Sequence, residues 1–272
     1  MRQVTPRYPD TDTHSSILTF PLGTHAERTL MTPNQKVVII TGASRGIGSA
    51  LAKRFRELDY GVVATSRSIM KSEPIRDDAT LTIEGDIGEP DTAARVVDAA
   101  MERFGRIDLL VNNAGIFIPK PFVDYSLHDF TSMIGVNLRG FFHITQRAAS
   151  RMLQAGFGHI VNITAAIADQ PLAALPAALA ALTKGGLAAA TRSLAIEFAT
   201  RGIRVNAVAP GVVNTSLLPP EMRGMLTAMQ PLGRMGETHD VVEAVVYLEQ
   251  APFITGEILR VDGAAFSGGC AW

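Results

Sequence analysis

One short stretch constrains the chain more than any other. The run Lys36-Val37-Val38-Ile39-Ile40 breaks into Thr41-Gly42-Ala43-Ser44-Arg45-Gly46-Ile47-Gly48 and continues as Ser49-Ala50-Leu51-Ala52-Lys53-Arg54-Phe55. β-Branched residues give way to closely spaced glycines and then to good helix formers, which reads as strand, tight turn and helix. Glycines let the backbone approach a pyrophosphate with no Cβ in the way, and the free N–H groups and dipole of a helix start favour negative charge. Ordinary loops use glycine too, but Gly-x-x-x-Gly-x-Gly between a strand and a helix points to nucleotide binding. The candidate contacts are Gly42, Ser44, Arg45, Gly46, Ile47 and Gly48.

The rest of the chain repeats the alternation. Strand patterns over 36–41, 61–66, 80–84, 107–112, 158–164, 203–208 and 257–261 alternate with helix patterns over 46–58, 90–104, 126–154, 176–200 and 239–250. Strands apolar on both faces, as at 107–111, predict an α/β single domain: a Rossmann-type doubly wound parallel sheet with helices on both faces. Ligands then belong outside the carboxyl ends of the strands. With 272 residues, 47% of them hydrophobic, the chain is long enough for one such domain over 34–272. Residues 1–33, rich in Thr, Pro, Asp and His and without periodicity, read as a flexible extension.

Composition excludes several function classes. A formal net charge of -1 with no basic stripe leaves no footprint for nucleic acid. The single cysteine, Cys270, excludes an internal disulfide, no Cys/His cluster has metal-ligand spacing, and a reducing cytoplasm suits such a chain. The early apolar segment 17–22 is too short for a membrane span or a signal-peptide core, so no membrane partner is expected.

The second strand ends at Ser66-Arg67-Ser68, where NAD-preferring folds carry an acid that accepts from the ribose hydroxyls and would repel a 2′-phosphate. Here Arg67 and Arg45 offer two guanidinium groups suited to a phosphate dianion, which favours NADP over NAD. The plain alternative is two solvated surface arginines. Asp86-Ile87 closes the third strand, either accepting from an adenine amino group or capping the next helix. Asn113, Ala114 and Gly115, ending the fourth strand, either let the backbone pass close under a cofactor or form an ordinary Asn/Gly turn.

Taken in order, these motifs resemble the short-chain dehydrogenase/reductase family over most of residues 36–263. The glycine turn is similar to that family's cofactor turn, and Asn112-Asn113-Ala114-Gly115 to its strand-four motif. Asn137, in Val136-Asn137-Leu138-Arg139-Gly140, resembles the helix asparagine of its catalytic tetrad. Pro210-Gly211, followed by Val212-Val213-Asn214-Thr215, resembles the turn covering the nicotinamide, with Thr215 near the carboxamide. The resemblance implies an NADP(H)-dependent oxidoreductase acting on a carbonyl or alcohol of a small-molecule substrate. It also implies a homotetramer or dimer built on the helices over 126–154 and 176–200.

The same resemblance implies a tyrosine four residues before a lysine and a serine at the preceding strand end. Lys184 matches the lysine and would bind the nicotinamide ribose; Ala180 stands where the tyrosine should be, Ala165 where the serine should be, and 176–182 hold no tyrosine. The chain thus reads as a divergent member with an altered proton relay. Asn137 and Lys184 keep the water and ribose functions. Thr164 has a hydroxyl beside the serine position that would polarise a carbonyl, unless it is simply a strand former bonded locally. Asp169, in the following loop, is the preferred unorthodox acid, and Tyr125 the least remote tyrosine. The opposing reading is a non-catalytic NADP-binding protein with a regulatory or assembly role. Residues 165–175, mostly small and apolar, suit a hydrophobic or bulky substrate as well as plain packing. Residues 212–236, which include Met222, Met225, Met229 and Met235, suit a mobile lid or core filling.

Overall fold

The computed structural model describes residues 35–265 apart from 73, 74, 76, 173, 174, 217, 219–221 and 229, so the segment over 1–33 lies outside the described residues. Seven strands, β1 (Val37–Thr41), β2 (Gly61–Ser66), β3 (Thr80–Glu84), β4 (Leu109–Asn112), β5 (Gly158–Ile163), β6 (Ile203–Pro210) and β7 (Ile258–Val261), form one sheet in the order β3-β2-β1-β4-β5-β6-β7. Every pairing is parallel. The helices are α1 (Gly46–Glu57), α2 (Pro90–Phe104), α3 (Leu127–Met133), α4 (Phe141–Ala155), α5 (Ala178–Phe198), α6 (Arg223–Ala228) and α7 (Thr238–Gln250).

Strand residues alternate between two helical layers. Val38 and Ile40 of β1 join Leu51 and Phe55 of α1 and Val241 and Val245 of α7 on one face. Val37 and Ile39 join Val96 and Ala100 of α2, Ile144 and Met152 of α4 and Phe198 of α5 on the other. The chain winds one way through β1-β2-β3 and the other through β4 onward. The strand order therefore reverses between β1 and β4, and the crevice beyond their carboxyl ends is where such sheets take ligands.

The expected strands and helices are present with boundaries close to those read from the sequence, with two differences. The helix expected over 126–154 is interrupted: between α3 and α4 the chain makes a π-helical stretch, Ile134–Gly140, that contains Asn137. Such bulges shift the backbone hydrogen bonding and occur mostly at functional sites. The second difference is α6, a short helix inside 212–236 that the prolines and glycines there had concealed. Among the described residues no helix is long and apolar enough to cross a membrane.

At the amino end of the sheet lies a buried polar cluster. Glu249, at the end of α7, accepts from Tyr60 Oη and Lys36 Nζ, each at 3.0 Å, and lies 2.8 Å from Nδ1 of His159 at the start of β5. Asn206 Nδ2 lies 3.0 Å from His159 Nε2, which makes Nε2 the acceptor and Nδ1 the donor to Glu249. Arg204, in register with His159, donates to the Glu249 carbonyl at 3.0 Å and stands 3.5 Å from its carboxylate. Burial pushes the His159 imidazole down, keeping it neutral; the Glu249 carboxyl is pushed up by burial, but its bond to His159 and the Lys36 charge outweigh this and hold it at about 2.

Candidate active site

The glycine turn takes the conformation its sequence demands. Gly42 and Gly46 have φ of 69° and 56°, left-handed values that favour glycine. A Cβ on Gly48 would collide with the Gly42 carbonyl, so that glycine lets α1 pack onto the turn. No side chain caps α1 and no acid stands in its first turn, leaving its leading N–H groups to an external anion. Thr41 Oγ1 accepts from the backbone N–H of Asn113 and Ala114 at 3.1 and 3.0 Å, and Asn113 Nδ2 donates to the Thr41 and Gly42 carbonyls at 2.9 and 3.1 Å. Asn113 thus braces the turn from β4.

The other cofactor candidates surround this turn. Thr215 lies over it, its Cγ2 3.6 Å from where a Cβ on Gly46 would be. Pro210 ends β6, and at Gly211 a Cβ would meet Asp262 Cα at 2.8 Å, so the glycine allows β6 to leave the sheet beside β7. Arg45 and Arg67 are exposed, and Ser44 and Ile47 partly so. Arg67 Nη1 stands 3.9 Å from Asp86 Oδ2. Asp86 Oδ1 accepts from Gly88 N at 2.9 Å, a turn bond rather than the helix cap weighed above, since α2 begins beyond Glu89 with no side-chain cap. Ile87 is buried against Gly140.

Asn137 and Lys184 come together beside Gly115. Asn137 Oδ1 accepts from Ile116 N at 2.9 Å, and its Nδ2 donates to Ile116 O at 3.0 Å and Thr183 Oγ1 at 3.1 Å. Lys184 is buried, and its Nζ donates to Ile163 O at 2.7 Å. A Cβ on exposed Gly115 would stand 2.9 Å from Nζ and 3.4 Å from Asn137 Oδ1. No carboxylate lies within ion-pair distance of Lys184 among the described residues, and burial alone pushes its ammonium down to about 8.

The acid candidates stand elsewhere. The Thr164 hydroxyl is buried and donates to Val208 O at 3.2 Å, the local engagement weighed against it in the sequence. Asp169 faces Arg260 of β7 at 3.5 Å, and the structure does not bring it to Lys184. Tyr125 Oη donates to Ile118 O at 2.7 Å. Ala180 belongs to a buried apolar cluster that includes Met133, Ala166, Ile167 and Leu179, with half-buried Ala165, Ile116 and Tyr125 packed against it. Of the proposed lid, Met235 is buried and Met225 exposed, while Met229 lies outside the described residues. Sequence reading missed the bracing role of Thr183; only its place next to Lys184 signalled it.

The geometry has counterparts among known proteins. Residues 42–264 match the family model described as enoyl-(acyl carrier protein) reductase. The chain is 36% identical over 245 residues to 3beta-hydroxysteroid dehydrogenase 1 of Eggerthella lenta, covering 84% of this chain and 92% of that protein. Its fold matches ElxO with NADP bound at a TM-score of 0.80 and 31% identity, covering 86% of this chain and 100% of that one. It matches 3-ketoacyl-(acyl-carrier-protein) reductase from Brucella melitensis complexed with NADH at 0.79 and 34%, covering 85% and 98%. Matches of that extent to reductases and dehydrogenases, on a sheet that brings Asn137 and Lys184 beside a braced glycine turn, establish that the chain belongs to the short-chain dehydrogenase/reductase family.

Proposed function

We propose that the protein is an NADP(H)-dependent oxidoreductase that interconverts a carbonyl and an alcohol on a small, apolar substrate, through a proton relay without the family's tyrosine and serine. The observation that carries this reading is the meeting of Lys184 Nζ and Asn137 Oδ1 beside Gly115, next to a helix start left open to an anion. The residues present fit the cofactor. The uncapped N-terminus of α1 and the turn at Gly42, Gly46 and Gly48 would hold the pyrophosphate, with Ser44 and Ile47 in the same turn. Arg45 and Arg67 would hold a 2′-phosphate, Asp86 and Ile87 the adenine, and Ala114, Gly115, Lys184, Pro210, Gly211 and Thr215 the nicotinamide half. When bound, the reduced nicotinamide supplies a hydride. One solved neighbour carries NADP and another NADH, so the preference for NADP rests on Arg67 and Arg45.

The apolar cluster at Ala180, with Ala165 against it, supports an apolar substrate, as does the similarity to the 3beta-hydroxysteroid dehydrogenase of Eggerthella lenta. Residues 212–236 would cover it. Exposed Phe142 on α4 and Leu182 and Ile196 on α5 support assembly of a homodimer or tetramer on those helices, and we place the protein in the cytoplasm.

A second reading, a non-catalytic NADP-binding protein, is favoured by one observation: the hydroxyl-bearing positions of the family pattern are alanines in an apolar setting, Ala180 buried and Ala165 half-buried against the same cluster. Titrating NADPH and NADH by fluorescence, then following a panel of ketones, aldehydes and alcohols at the nicotinamide absorbance, separates the two. The oxidoreductase reading expects tighter NADPH binding and turnover; NADPH binding with no turnover across the panel overturns it in favour of the second.

A further inference from the structure

The π-helical stretch Ile134–Gly140 is held from two sides. On the side of Gly115, buried Asn137 bonds the backbone N–H and carbonyl of Ile116 and the hydroxyl of Thr183. On the other side the stretch lies against the turn over 86–89, beyond the carboxyl end of β3. A Cβ on Gly140 would meet Ile87 Cγ2 at 2.7 Å, and a Cβ on Gly88 would meet the Gly135 carbonyl oxygen at 3.0 Å, so nothing larger than glycine fits at either contact. Between Gly135 and Gly140 in the chain, Arg139 Nη2 donates to Gly88 O at 2.9 Å and to Glu89 Oε1 at 3.2 Å. The turn is closed on itself by Asp86, whose Oδ1 accepts from Gly88 N at 2.9 Å.

A π turn carries one residue more than an α turn and is rare, so its backbone depends on tertiary contacts. Were it to regularise, the residues on one side would swing by about 100° around the axis relative to the other, and Asn137 would leave Ile116. An element with two such arrangements is the kind that carries coupling between sites. Asp86 and Ile87 hold the adenine in the proposed cofactor complex, and Asn137 stands beside Lys184 at the nicotinamide end. Resting on that cofactor reading, we infer that the π-helical stretch couples the two ends of the cofactor site, with Arg139 as its positioning residue. A ligand that orders the turn over 86–89 fixes Gly88 and, through Arg139, the π backbone and the seat of Asn137. The role asks no contact of Arg139 with substrate or cofactor. Its planar fork reaches a carbonyl and a carboxylate at once, which an ammonium does less well. Its side chain is 54% exposed, so removing it leaves the core packing alone.

The test uses the full chain and 2′,5′-ADP, a probe that fills the adenine end alone. The readout is amide hydrogen exchange of Ile116, whose N–H is bonded to Asn137 Oδ1. At saturating 2′,5′-ADP the wild-type exchange slows by about fivefold or more, the lower range of ordinary coupling between sites. In Arg139→Met, which keeps an apolar stem and loses the donors, the slowing at saturation falls below about twofold. Arg139→Lys keeps a donor for Gly88 O and restores part of the effect. An arginine with a merely structural role would shift exchange in the free protein and leave the effect of the probe unchanged. Equal slowing in wild type and Arg139→Met, or no slowing in a wild type that 2′,5′-ADP saturates, overturns the inference and leaves the cofactor reading intact. A wild type that binds neither 2′,5′-ADP nor NADPH overturns both.

Discussion

The two ends of the sheet treat buried charge in opposite ways. At the amino end, Glu249 is met by Lys36, Tyr60, His159 and Arg204, so the buried carboxylate has opposing charges and hydrogen-bond donors around it. At the carboxyl end, Lys184 is buried and, among the described residues, has one carbonyl as its hydrogen-bond partner and no opposing charge. The first arrangement is what folding stability selects, since a buried ion must be paired and hydrogen-bonded to be tolerated. The second lowers stability and persists beside Gly115, just beyond β4. The buried, unpaired charge of Lys184 therefore marks a candidate working site, whereas the buried, paired charge of Glu249 marks a structural one.

The largest expected effect comes from breaking the paired end. Glu249→Ala should lower stability by about 3–5 kcal/mol in urea denaturation, because Lys36, Arg204 and His159 lose their common partner. The folded Glu249 carboxyl sits at about 2 against an ordinary 4.5, so its contribution is present above 4.5 and lost as pH falls towards 2. That acid-side loss should be missing in Glu249→Gln.

Removing the unpaired charge should do the reverse. Lys184→Met should raise stability at pH 7 by about 3 kcal/mol, the equivalent of a fall from 10.5 to about 8, while abolishing turnover. The sign follows from proton counting: below 8 both states are protonated and the folded state carries the full desolvation penalty. Between 8 and 10.5 the unfolded state binds more protons, so the wild type gains stability as pH rises and the advantage of the methionine variant disappears. A variant less stable than wild type at pH 7 would mean that the ammonium is paired after all.

Smaller effects sharpen the picture at the cofactor end. Arg67→Asp should weaken NADPH binding by about tenfold or more, the size of a charge-assisted hydrogen bond, and leave NADH binding nearly unchanged. Equal loss for both cofactors would remove Arg67 from the 2′-phosphate. Asp169→Asn should change stability by under about 1 kcal/mol, since its pair with Arg260 is partly exposed, and leave kcat alone. A large fall in kcat would restore Asp169 as the acid.

The sheet and the cofactor turn were legible in the sequence because their signals are local. The β-branched run before Gly42 and the glycine spacing up to Gly48 each specify their own backbone, and the parallel order follows from strand and helix alternation. The π-helical stretch around Asn137 was not legible, since its seven residues keep an ordinary helical pattern and only the tertiary hold of Ile116 and Thr183 sets Asn137 apart. The amino-end cluster was also hidden: Lys36, Tyr60, His159, Arg204 and Glu249 are scattered along the chain, and only parallel register brings them together. The acid was sought in Asp169 because the carboxylate was visible while Arg260 opposite it was not. Lys184 was legible as a residue, but its isolation is a property of burial that no spacing carries.

The most direct measurement is the titration of Lys184 itself, followed by the ¹⁵Nζ chemical shift of the cofactor-free protein, with Lys184→Arg fixing the assignment. An inflection near 8 is the predicted result and would establish a buried, unpaired ammonium at the working end of the sheet. An inflection at the ordinary 10.5 would contradict the account, leaving Lys184 as a solvated or paired cation no different from the charges at the other end.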